Sequence, residues 1–206
     1  MNALDDWDKF TEDLNTNYEI DMSILYKDFE LESRNYYFQN ALWRIIPQNS
    51  IVGDPQIVYS INLKSVTLSE AKGIYNSSFK IPMPLLVRTS EGKVVRLKDK
   101  MTIPIGGLAT WFTIEFNGNS IENTDPDSKP IIPSVMSTGP ENGYTHWGQY
   151  VYYIHPVLEY SSSDILHGSI SMIRTTLNRR MYSIFISVYN ENIEAEKIFQ
   201  QKYTLP

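Results

Sequence analysis

"RRMYSIFISVYN", residues 179–190, puts Tyr182, Ile184, Ile186 and Val188 on one parity and Met181, Ser183, Phe185, Ser187 and Tyr189 on the other. Side chains of a strand point alternately to opposite faces, so a period of two gives one apolar face and one carrying two serines. A strand with one wetter side belongs to an antiparallel sheet. Apolar runs cut by turn residues recur upstream: "IVYSINL" (57–63), "SSFKIPMPLLV" (77–87), "KVVRL" (93–97), "GLATWFTIEF" (107–116), "WGQYVYYIHPVLEY" (147–160) and "DILHGSISMIRT" (164–175). These predict the strands of a sandwich or barrel. The 14 tyrosines and 4 tryptophans lean the same way, because flat rings pack well on pleated faces.

Two regions depart from this pattern. From Ala3 to about Gln39, Phe10, Leu14, Tyr18 and Met22 recur at spacings of four, followed by Leu25 and Phe29 among acids, which predicts short helices. Residues 117–143 are rich in Asn, Pro, Ser and Gly and predict a long surface excursion between two strands. Asn178 and Arg179 read as a turn. No solenoid repeat and no low-complexity tract is present.

A chain of 206 residues fits one domain with a sizeable core. Without cysteine it has no disulfides, thiolate nucleophiles or thiolate metal sites. The start, "MNALDDWDKF", has no basic n-region and no apolar h-region, and no apolar run reaches the length of a membrane span, so neither secretion nor a membrane span is expected. Net charge is −6, and residues 1–33 hold ten acids against two lysines, so that segment carries −8 and the remainder +2. Such a surface repels phosphate backbones, which argues against direct nucleic-acid binding.

Chemistry is sparse in the local patterns. "IGGLAT" (105–110) lies in a strand pattern without the spacing or the following helix of a phosphate loop. No Gly-x-Ser-x-Gly elbow occurs. His146, His155 and His167 lack metal-ligand spacing; His155 reads as a strand residue and His167 as one near a strand bend. By periodicity alone His146 is an ordinary packed residue at the mouth of a strand.

Longer stretches add to that reading. "STGPENGYTHWGQ" (137–149) resembles the Ser-Thr-Gly-Pro…Thr-His-Trp-x-Gln signature of the C-terminal half of protein arginine N-methyltransferases. "YEIDMS" (18–23) resembles the Tyr-Gly-Phe-Asp-Met-Ser of that family's dimerisation arm, and "IPQNSIVGDPQIVYSINLKSV" (46–66) is similar to the return from arm to barrel. "GLATWFTIEF" (107–116) resembles the strand before the Thr-His-Trp excursion, and "DILHGSISMIRTTLNRR" (164–180) the closing hairpin. The matches are in family order over most of residues 3–190. The family commonly has lysine at the position of Gly148, glycine at that of Glu19 and aspartate at that of Asn62, and residues 82–104 look longer than its usual connection.

The resemblance implies a mainly β fold: an antiparallel β-barrel over 40–206, with a mostly helical dimerisation arm over 10–39, in a single C-terminal domain spanning 1–206. It implies a substrate-binding half of an S-adenosylmethionine-dependent enzyme that methylates arginines of proteins, with Arg/Gly-rich proteins as the candidate substrates, in the cytoplasm or nucleus. His146 would be the catalytic residue, ordering the acidic pair that holds the guanidinium, while Tyr144, Thr145 and Trp147 would serve substrate binding and loop geometry. Tyr18, Ile20, Met22, Leu25 and Phe29 would form the arm's contact in a homodimer of the full-length enzyme. S-adenosylmethionine would sit in a preceding domain, not in this chain, so the chain alone is expected to be inactive and monomeric or weakly associating. The alternatives are a stand-alone, non-catalytic barrel acting as a regulatory or protein-binding partner, and a carbohydrate-binding sandwich.

Overall fold

Ile184, Ile186 and Val188 are buried and Phe185 and Tyr189 exposed, so the alternation that predicted a half-wet strand is realised in space. A computed structural model of the chain describes residues 3–84, 86–88, 94–96, 102–116, 133–162, 164–176, 178, 180–190 and 199–205. Two helices come first, α1 (Ala3–Tyr18) and α2 (Tyr26–Gln39). Eleven strands follow among the described residues: β1 (Leu42–Arg44), β2 (Gly73–Pro82), β3 (Leu86–Arg88), β4 (Val94–Arg96), β5 (Thr102–Thr110), β6 (Thr113–Phe116), β7 (Ser134–Ser137), β8 (Gln149–Ser161), β9 (Ile165–Arg174), β10 (Tyr182–Asn190) and β11 (Phe199–Leu205).

The architecture is mainly antiparallel sheet, as expected. The order β11-β10-β9-β2 makes a four-stranded sheet and β1-β8-β5 a three-stranded one, with β3-β4 and β6-β7 as hairpins. Among the described residues no continuous ladder closes these sheets into a ring. Their apolar faces share one core that includes Ile103, Ile105, Tyr152, Leu166, Ile184, Ile186, Val188 and Tyr203. Each such aliphatic side chain contributes about 1.5–3 kcal/mol by leaving water. β11, β8 and the segment after α2 tie the sheets together, since the Ala41 N–H donates to the Thr204 carbonyl at 2.9 Å while Leu42 pairs with Val151.

The helical reading of residues 3–39 is correct except over Glu19, Ile20, Asp21 and Met22, which lie between α1 and a single 3₁₀ turn (Ser23–Leu25) that leads into α2. α1 ends where Glu19 adopts φ 58°, its N–H donating to the Asn15 carbonyl at 3.1 Å. This is the left-handed exit at which glycine is usual. Asp21 accepts the Ser23 N–H at 2.9 Å, and this bond holds its carboxyl below the usual aspartate range. α2 docks on β8 through Tyr37 against Tyr153 and Phe38 against His155, with ring centroids 5.9 and 5.1 Å apart. No helix of the described residues is long and apolar enough to cross a membrane.

Several strand expectations need correction. "IVYSINL" (57–63) forms no strand: Val58 gives its carbonyl to the Ser77 hydroxyl, Tyr59 bonds the Glu70 carbonyl, and Ile57 is 88% exposed, so side chains rather than a ladder secure the segment. "GLATWFTIEF" is two strands broken at Trp111–Phe112; β1, β11 and β7, the last inside the expected surface excursion 117–143, were not anticipated. His167 lies inside β9, buried and stacked on Tyr189, and not near a bend. His155 is a β8 residue as expected. Thr175 and Asn178 close the expected turn; Arg179 lies outside the described residues. So do residues 117–132 of the excursion, whose ends are held together by the antiparallel pairing of β6 with β7, Thr113 opposite Ser137.

Candidate functional site

The chain leaves β7 through Ser-Thr-Gly-Pro, and each residue of that run has a mechanical reason. Thr138 is buried; its N–H and hydroxyl both reach the Phe112 carbonyl, at 3.0 and 3.2 Å, stapling the loop to the break between β5 and β6. Ser137 donates to the Glu141 carboxylate at 3.0 Å and accepts the Gly139 N–H at 3.1 Å. That carboxylate folds back so far that a Cβ on Gly139 would meet it at 2.2 Å, so a larger residue there would have to push the Glu141 side chain aside. Pro140 starts the single 3₁₀ turn (Pro140–Asn142), and Gly143 reverses the chain with φ 72°.

Tyr144, Thr145, His146 and Trp147 then cross the end of the sheet before β8 begins. The backbone carbonyl and hydroxyl of Thr145 both face the Gly148 N–H, at 3.1 and 3.2 Å, closing a tight turn around His146. Gly148 has φ 52°, and a Cβ there would lie 2.6 Å from the Trp43 indole nitrogen. The Trp43 N–H donates to the Trp147 carbonyl at 2.8 Å. Beneath the turn Gln149 is fully buried: its amide donates to the Thr138 carbonyl and accepts from the Ile46 N–H, both at 2.8 Å. Buried polar groups are tolerated when paired in this way.

The outer side of the loop is different. Tyr144 is 74% and Trp147 52% exposed, His146 is exposed, and Thr145 is half-buried. The His146 ring meets the Trp147 ring edge to face at 6.1 Å, and Trp147 meets Phe112 at 6.0 Å. The four residues picked out by sequence lie consecutively at this turn, three of them exposed. Trp43 and Phe112, which join them, were missed: their partners lie 104 and 35 residues away along the chain, and no local period reports such pairing. Among the described residues no cluster of His, Asp or Glu could hold a metal. Two open grooves, one lined by Thr11, Met22 and Tyr26 and the other by Ser169, Ser187 and Lys202, include no residue of this loop.

The arm candidates sit on the helical segment instead. Tyr18, Ile20 and Leu25 are exposed, and Met22 and Phe29 are half-buried.

A family model described as the arginine methyltransferase oligomerization subdomain matches residues 1–192. The chain belongs to the arginine methyltransferase family. It is 27% identical over 181 residues to protein arginine N-methyltransferase PRMT10 of Oryza sativa subsp. japonica, covering 87% of this chain and 42% of the relative. The PRMT10 of Arabidopsis thaliana is 28% identical over 183 residues, covering 88% and 42%. The crystal structure of Arabidopsis thaliana protein arginine methyltransferase 10, described as a uniquely open conformation, superposes with a TM-score of 0.63 at 23% identity, covering 98% of this chain and 52% of that one. A Trypanosoma brucei PRMT1 enzyme-prozyme heterotetrameric complex with AdoHcy gives 0.63 at 17%, covering 94% and 52%. The fold is thus similar to the C-terminal barrel domain of these enzymes, and the chain spans about two fifths of the length of the curated relatives it matches.

Proposed function

We propose that this chain is the substrate-facing half of an S-adenosylmethionine-dependent protein arginine N-methyltransferase, with His146 presented to a guanidinium site completed by acidic groups of another domain. The observation that supports this most is the inversion of burial along one turn: Gln149 and Thr138 lock it from beneath while His146, Trp147 and Tyr144 face outward. A turn so fixed suits positioning, which can supply several kcal/mol of a transfer barrier (about 7–11 at most) without covalent chemistry. An imidazole can donate to a carboxylate from one nitrogen while the other is held elsewhere.

S-adenosylmethionine is proposed to be held by another domain, so the only part of the transfer assigned to this chain is holding groups in place. Tyr18, Ile20 and Leu25 expose apolar surface that a second subunit would cover, which supports the homodimer reading for the full-length enzyme. Arg/Gly-rich proteins remain the proposed substrates, and the cytoplasm or nucleus the proposed location.

The test is made on the native protein captured from its source with an antibody to this chain. An intact mass above 23.8 kDa by roughly one further domain, together with methyl transfer from labelled S-adenosylmethionine to an Arg/Gly-rich peptide, is expected. In that enzyme His146→Ala is expected to lower turnover about 100-fold with cofactor affinity unchanged. A mass of 23.8 kDa without transfer would replace this reading by that of a regulatory, protein-binding barrel.

A further inference from the structure

Trp43 is the point at which the strand after the helical segment reaches the exposed turn. Its indole N–H donates to the Trp147 carbonyl, 2.8 Å away and 104 residues later in the chain. An indole has one donor and no acceptor, so this bond fixes the ring's orientation as well as the carbonyl it grips. The gripped peptide links Trp147 to Gly148. It follows directly on His146, whose ring rests edge-on against Trp147. The turn's own bonds, from Gly148 N–H to Thr145, close it on itself and do not fix it to the sheet.

On its other side Trp43 is continuous with α2. Three residues separate it from Gln39, and within them the Asn40 side chain donates to the Tyr36 carbonyl at 3.1 Å and the Ala41 N–H to Thr204. In the β1–β8 ladder Trp43 stands opposite Tyr150. The end of the helical segment and the carbonyl of Trp147 are therefore joined by a short stretch of backbone, bonded at Asn40 and Ala41 and paired with β8, and one indole.

We propose that Trp43 is a positioning residue for the turn 143–148, holding the Trp147 peptide so that His146 and Trp147 present a single arrangement, and linking that arrangement to the end of α2. Its bearing on methyl transfer rests on the function proposed above; the restraint itself does not.

Hydrogen exchange and indole N–H spectra of this chain and of Trp43→Phe, which keeps a ring and removes the donor, test the proposal. In the unmodified chain the Trp43 indole proton is expected to exchange at least about tenfold more slowly than that of half-exposed Trp147, the factor set by a hydrogen bond of ordinary strength. In Trp43→Phe the Gly148 amide is expected to exchange about tenfold faster, while the Ile184 and Ile186 amides stay within about twofold. Equal exchange of the two indoles, an unchanged Gly148 amide, or an equal rise at Ile184 would overturn the proposal. In the longer, active enzyme Trp43→Phe should lower kcat and leave the KM for S-adenosylmethionine unchanged. A loosened turn with unchanged kcat would retain the restraint and overturn its role in the reaction.

Discussion

The Tyr203 hydroxyl donates to the Tyr153 carbonyl at 2.6 Å, a bond that crosses from β11 in one sheet to β8 in the other. Tyr203 is fully buried and its ring meets Tyr152 edge to face at 5.3 Å. The sheets are thus joined by a directional bond inside an apolar core, on the strand that begins at the candidate turn.

Tyr203→Phe keeps the ring and leaves the Tyr153 carbonyl without its donor. The cost of such an unpaired buried acceptor is about 1–3 kcal/mol. The urea midpoint should fall accordingly with the slope unchanged. A midpoint equal to that of the parent would mean that the bond adds nothing to stability.

Alkaline pH should act on the same core. Burial pushes the Tyr152 phenol up to about 12, and burial together with the Asp164 carboxylate does the same for Tyr160; burial and Tyr152 push Tyr203 in the same direction. A folded value above the unfolded value of about 10 means that the fold prefers the neutral phenol. That contribution is complete below pH 10 and is lost as pH rises through about 12. Phenolate absorbance followed with circular dichroism should show these three tyrosines ionising only as structure is lost. Ionisation of every tyrosine near pH 10 with the fold intact would contradict the burial argument.

The inner and outer sides of the turn should separate stability from activity. Gln149→Leu fills the same space and orphans the Thr138 carbonyl and the Ile46 N–H, at a cost of about 2–4 kcal/mol. His146→Ala removes an exposed ring and should change stability by less than about 0.5 kcal/mol. Thermal unfolding of the two variants distinguishes the sides; a large loss in His146→Ala would make it a structural residue.

The sequence made some of this legible and not the rest, for physical reasons. β10 was readable because it has one buried face, and a period of two reports burial directly, whereas β8 and β9, whose burial does not alternate strictly, were readable as long apolar runs between turn residues. Residues 57–63 carry the same alternation but lack a paired neighbour, since Ser77 takes the Val58 carbonyl with its side chain. β11, "FQQKYTL", hides its anchor Tyr203 among polar residues, of which Gln200 and Lys202 are exposed. At the site, the motif residues were found through the resemblance, whereas Trp43 and Phe112 depend on contacts that only the folded chain creates.

Glu19 occupies the left-handed position that ends α1, at φ 58°, where the family commonly has glycine. A residue with a Cβ is strained there by about 1 kcal/mol, and glycine is not. Glu19→Gly should therefore stabilise the helical segment by about 0.5–1 kcal/mol, raising the midpoint of the helical signal in circular dichroism. A lower midpoint would show that the glutamate side chain offsets the strain.

Gly148 reverses that situation, being a glycine where the family commonly has lysine. Its φ of 52° disfavours any side chain, and a Cβ would lie 2.6 Å from the Trp43 indole nitrogen and 2.7 Å from the Arg44 carbonyl oxygen. Gly148→Lys should cost on the order of 2–3 kcal/mol, combining backbone strain with overpacking. Part of that clash is with a side chain and part with backbone, so Trp43→Ala in the same molecule should recover some of the loss and not all of it. Coupling of about 0.5–3 kcal/mol in the double-mutant cycle would establish Gly148 and Trp43 as a matched pair. Additive effects would mean that the clash with the Arg44 carbonyl alone excludes the lysine.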